Sequence, residues 1–146
     1  MKISKIIIFS VTLILATATA GYGQSDEASE RIKTYVNKVV QKVERAEDSD
    51  QKRAILNDSF DKMTEAFDRV ASMEGISSGD KEGIDVLRKD IQEKRNELNG
   101  LDGYNRIADN QLNKFANYVQ QDMEQADTIT ISVTTLLLII IILLLL

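Results

Sequence analysis

The chain has 146 residues, a formal net charge of −5 and 28% charged residues, and it contains no cysteine, histidine, proline or tryptophan. Without cysteine and histidine there is no disulfide framework, no thiolate or imidazole metal site, no Ser-His or Cys-His nucleophile pair, and no Glu-x-x-His di-iron pattern. A length of this order holds one domain. Sparse Val/Ile/Thr alternation and apolar residues at helical spacing make the fold class all-α.

Residues 1–24 read MKISKIIIFSVTLILATATAGYGQ. Lys2 and Lys5 form a positive n-region, Ile6 to Leu15 a short apolar run, and Ala16/Ala18 and Ala18/Ala20 two overlapping A-x-A triplets. This is the organisation of a signal peptide, bacterial in type, with the mature chain expected to begin between Gly21 and Ser25. A retained N-terminal anchor is the alternative. In either case the two lysines hold the N-terminus inside and residues 25–127 are carried across the membrane. Removing Lys2 and Lys5 takes the 18 basic residues to 16 against 23 acidic ones, and the charge from −5 to −7. That charge repels phosphate and anionic lipid, so no nucleic-acid partner is expected.

Ser25, Asp26 and Glu27 suit a helix start, a capping hydroxyl followed by acids. Ile32, Val36, Val39 and Val43 then share a face, with Tyr35 and Val40 at its edge, and the first helix is predicted to run to about Ala46. The acidic stretch 47–50 supplies a turn and the next cap. It starts like a calcium loop but lacks the glycine and closing glutamate at their offsets, so a cap is the better reading. In the second helix Phe60 and Phe67 occupy one heptad position, Met63 and Val70 another, and Leu56 extends the seam. Two heptads make one face of a bundle. On another face lie Asp58, Asp61, Glu65 and Asp68, able in principle to recruit a hard cation; the interleaved Lys62 and Arg69 favour a solvated face. No metal, cofactor or catalytic residue is assigned.

GISSGDKEG (75–83) is the predicted loop; no strand precedes it, so its glycines are not a phosphate loop. The third helix carries Ile84, Leu87, Ile91 and Leu98, but Lys94 and Arg95 interrupt its stripe, which predicts the weakest docking. Gly100 suits a left-handed C-cap. No glycine or proline follows Tyr104, so a fourth helix with Ile107, Leu112, Phe115, Val119 and Met123 inward is expected to continue to Leu146, roughly 65 Å at 1.5 Å per residue. Its soft point is the β-branched run Thr128–Thr135.

Residues 128–146 form the third segment, after the leader (1–24) and the bundle (25–127). As a helix Ile129–Leu146 is roughly 27 Å long and apolar on every face in its last turns, which fits a bilayer span. The acids Asp122, Glu124 and Asp127 before it place the bundle on the periplasmic or outer side of a single-pass cell-membrane protein, with a cytoplasmic C-terminus. The small residues near Ala126, polar spacer and apolar tail also resemble a GPI-attachment signal, which the bacterial leader argues against. No basic residue follows the apolar run, as a wall-sorting signal requires. The expected architecture is an antiparallel three- to four-helix bundle with a C-terminal transmembrane helix continuing the last helix.

Helical faces are what such a chain offers a partner. The first reading is a non-catalytic, membrane-anchored scaffold or interaction module that binds the bilayer through Ile129–Leu146 and takes a protein partner or a second copy of itself. The second is a membrane-active or oligomerising protein in which Thr128, Ser132 and Thr135 pair spans within the lipid.

Overall fold

The computed structural model describes residues 24–125 and 131–146; residues 1–23 of the leader and Thr128 fall outside them, as does the side chain of Ser25. Among the described residues are five α-helices, one 3-10 turn and no strand: α1 Gln24–Arg45, α2 Ser49–Ala71, α3 Ser78–Asn99, the turn Asp109–Gln111, α4 Leu112–Gln125 and α5 Val133–Leu145. The first helix starts one residue before Ser25, which therefore lies inside it.

Helix α2 is central and touches every other helix, while α1 pairs with α4. Its N-cap is Asp48, whose carboxylate accepts from the Gln51 N–H at 2.7 Å, so the acidic stretch is a cap and turn. Leu56, Phe60, Met63, Phe67 and Val70 are all buried in the core. From α1 they meet Val36, Val40 and Val43; Val39, placed on the inner face by spacing, is only half-buried, so α1 is turned slightly toward Val40.

Helix α3 starts at Ser78, so the loop is shorter than 75–83 and takes in only Ser72–Ser77. Ser77 caps it by accepting from the Asp80 N–H at 3.1 Å. Gly79 and Gly83 fall in its first turns, where a good cap outweighs their poor helix propensity. Pairs Asp68–Arg88, Asp61–Arg95 and Asn57–Asn99 ladder α2 against α3 in opposite chain directions. This contact is the most extensive between helices among the described residues, contrary to the weak docking predicted from Lys94 and Arg95. Both residues find acidic partners: Arg95 pairs with Asp61 within this interface, and Lys94 reaches Asp122 of α4.

Gly100 ends α3 at φ 69°, ψ 45°. A Cβ there would stand 2.7 Å from the Arg106 backbone nitrogen, so glycine is required by space as well as by φ. The returning segment is held by Arg53, which is buried and donates to the carbonyl oxygens of Leu98 and Ile107 and to Asp109.

The continuous helix expected from Tyr104 to Leu146 is not formed. Residues 104–108 are non-helical, α4 ends at Gln125, and Ile131 and Ser132 are non-helical, with Ser132 at φ −62°, ψ 147°. The break falls within the β-branched run, where helix propensity is lowest. Helix α5 is 13 residues, roughly 20 Å, against about 30 Å of hydrocarbon. No helix among the described residues is long and apolar enough to cross a membrane. Instead of continuing α4, α5 lies against α2 and α1.

Candidate functional site

The N-termini of α3 and α5 meet at one carboxylate. Asp80, buried in the first turn of α3, accepts from the Ser132 backbone N–H at 2.8 Å, from Ser132 Oγ at 2.6 Å and from Thr135 Oγ1 at 2.6 Å. Ser132 is itself the N-cap of α5. Two positive helix ends thus face the same negative group. The Ser132 and Thr135 hydroxyls, followed by the Ser132 amide, hold the Asp80 carboxyl below its usual 3.8 against the opposing effect of burial. This clasp ties the apolar C-terminal helix to the bundle.

Beside α5 opens a cavity of about 480 Å³, within the range of small-molecule sites. Met63 and Phe67 of α2 border it, with Ile32 of α1, Ile91 of α3, and Leu136 and Ile140 of α5 among its walls. Its rim carries charges of both signs, among them Lys94, Asp90 and Asp122. Lys94 is the buried one. Helices α3 and α4 are not close backbone neighbours, and the long Lys94 side chain spans the distance. Its ammonium donates to the Tyr118 hydroxyl, pairs with Asp122 at 3.1 Å and lies 3.6 Å from Glu97.

Burial by itself would lower the proton affinity of Lys94. The Tyr118 and Asp122 hydrogen bonds, with the charges of Glu97 and Asp122, outweigh it and hold the group above the usual lysine value of 10.5. A lysine serving as general base or Schiff-base nucleophile needs the opposite shift. Lys94 is a fixed cation that closes one side of the cavity.

The acidic face of α2 is occupied by cations: Asp58 pairs with Lys62 at 2.9 Å, Asp61 with Arg95 at 2.8 Å, Glu65 with Arg69, and Asp68 with Arg88 at 3.0 Å. No acidic cluster able to hold a metal ion occurs among the described residues. Of the polar stripe proposed to pair spans, Ser132 and Thr135 both bind Asp80.

Asp80, Arg53 and the role of Lys94 escaped the sequence reading. Two of them left a signal: Arg53 lies three residues before Leu56 on the apolar seam of α2, and Lys94 three after Ile91 on that of α3. A charge on a core stripe requires buried partners. Asp80 left only the spacing of a capping box with Ser77, which gives no hint of a partner 52 residues away. No family model, curated protein or solved structure matches the chain.

Proposed function

We propose that this protein is a non-catalytic, membrane-attached helical interaction module. Its bundle lies outside the cytoplasm, and its apolar C-terminal segment, Ile129–Leu146, is the attachment element. One observation carries the reading. Helix α5 has no charged residue and beyond Thr135 is apolar on every face, so that even folded against the bundle it leaves Ile141, Leu144 and Leu145 48%, 63% and 80% exposed. A helix built for a water-facing position carries polar residues on its outer face. The lysine-containing leader with its A-x-A triplets supports export. A cationic Lys94, an Asp80 saturated with hydrogen bonds and an ion-paired α2 face support a role in binding rather than chemistry.

Membrane fractionation tests the proposal. Expressed with its leader, the protein should stay in the pellet after carbonate extraction and be digested by protease added to spheroplasts. Release by carbonate would remove the attachment reading; full protection from protease would remove the topology.

A further inference from the structure

We propose that α5 is a stowed membrane-binding element, clasped to the bundle by Asp80 and able to exchange between its groove and a lipid bilayer. The inference rests on the attachment reading above and adds to it a second, docked state and the residue that sets the balance.

Three features of the docked helix point this way. Its outer face is wet, with Ile141, Leu144 and Leu145 exposed. One inner side opens on the cavity, which Leu136, Ile140 and Leu143 line. Protein interiors are close-packed, and an open cavity of about 480 Å³ beside the helix leaves that side with fewer dispersion contacts than a filled core gives. Docking therefore gives α5 only part of the burial that hydrocarbon would give it.

What holds its start is polar. The three hydrogen bonds to Asp80 can be exchanged for bonds to water, and without them Asp80 still belongs to the Ser77-capped first turn of α3. Loss of α5 uncovers chiefly α1 and α2 and frees Asp80 of α3, while the α2–α3, α1–α4 and α1–α2 interfaces are made without it. Proteins open locally, one element at a time, and a terminal helix whose removal leaves the other interfaces in place is suited to such opening. An inserted α5, extended to Ile131, spans roughly 24 Å at 1.5 Å per residue, enough to enter the hydrocarbon.

Asp80 makes the proposal testable, because it lies on the bundle and not on the inserting segment. Asp80→Asn weakens the clasp without altering the affinity of α5 for lipid, and its effect on the cap of α3 is common to both states. The chain has no cysteine, so Leu144→Cys accepts a single environment-sensitive dye. The full chain would be titrated with uncharged phosphatidylcholine vesicles carrying spin label in their acyl chains, so that the charge removed by Asp80→Asn does not itself change lipid binding. The dye on Leu144 should be quenched, and Asp80→Asn should lower the vesicle concentration for half-maximal quenching roughly tenfold, as loss of one charged hydrogen bond implies.

Quenching that is identical in the two proteins would overturn the clasp. No quenching at any vesicle concentration would overturn exchange; if carbonate still fails to extract the exported protein, attachment itself survives that result. Concentration-dependent self-association without quenching would assign the exposed face to a second copy instead and also overturn the proposal. Should Asp80→Asn fail to fold, thiol labelling without lipid decides. Ile139→Cys, at a position 1% exposed on α5, should react faster than Val43→Cys in the bundle core. Equal rates would show that α5 opens only when the whole domain unfolds.

Discussion

The Lys94 ammonium lies 4.3 Å from the centroid of the Tyr118 ring, and the same ring's hydroxyl accepts its hydrogen bond. The tyrosine thus meets the charge chiefly through its oxygen, and Asp122, one turn further along α4, completes the site. Lys94→Ala should destabilise the fold by about 1–2 kcal/mol, moderated because Asp122 stays half exposed and can be hydrated. Lys94→Met keeps the stem packing and should lose less. The folded group binds its proton more tightly than the unfolded one, so its stabilisation is complete below 10.5 and lost as pH rises beyond it. In urea melts, the gap between wild type and Lys94→Met should therefore be flat around neutrality and close only in strong alkali.

Arg53 is a second buried charge with a different task. Its guanidinium reaches the Ile107 carbonyl at 2.6 Å and Asp109 at 3.0 Å while also holding the Leu98 carbonyl, so one side chain fixes both ends of the turn between α3 and α4. Arg53→Ala leaves buried carbonyls unpaired and should cost about 3 kcal/mol. Arg53→Lys keeps the charge but not the fork, and should recover less than half of that loss. Hydrogen exchange would localise the effect to residues 100–109.

These two residues show what local sequence could and could not convey. The seam Leu56–Phe60–Met63–Phe67–Val70, the Asp48 turn and the Gly100 cap were legible because each depends on residues within one or two turns. The same rules treated Lys94 as a defect in a stripe, since its partners Tyr118 and Asp122 arrive from another helix. The missing break between α4 and α5 has a related cause. Neither glycine nor proline marks it, and the polar cap that starts α5 is completed by Asp80, far away in sequence. The apolar composition of the last residues fits hydrocarbon and a groove equally well, so composition alone could not reveal docking.

Phe60 and Phe67 share a heptad position but not an environment. Both are buried, yet Phe67 borders the cavity beside α5 and Phe60 does not. Phe60→Ala should cost about 3–5 kcal/mol, and Phe67→Ala should sit at or below the lower end, since solvent or neighbouring side chains can enter the enlarged space. Chemical denaturation of the two variants measures the difference. Equal losses would mean that the cavity does not extend to Phe67 in solution.

Asp80 makes docking of α5 acid-sensitive in a defined direction. Its folded carboxyl lies below 3.8, so the contribution is complete above that value and falls away as pH drops through the lowered one. Asp80→Asn should be less stable than wild type at neutral pH, by an amount that stays constant down to about pH 4 and then shrinks. A difference that closes near neutrality would point to another group.

Ile139 and Ile141 separate the docked helix from an inserted one. Two residues apart on a helix of 3.6 residues per turn, they point to nearly opposite sides. In the docked state Ile139 is 1% exposed and Ile141 48%. An unpaired lysine at Ile139 would lie between α5 and the bundle and should cost more than about 3 kcal/mol, whereas Ile141→Lys should stay within about 1 kcal/mol of wild type. In a bilayer the two positions lie at nearly the same depth, and each lysine costs about 3 kcal/mol. Urea melts of the lipid-free protein should therefore distinguish the two variants, while carbonate extraction should find both released where wild type is retained. Equal melts would contradict the packing of α5 against the bundle. Ile141→Lys that resists carbonate as wild type does would contradict insertion of this helix and leave the groove as its permanent place.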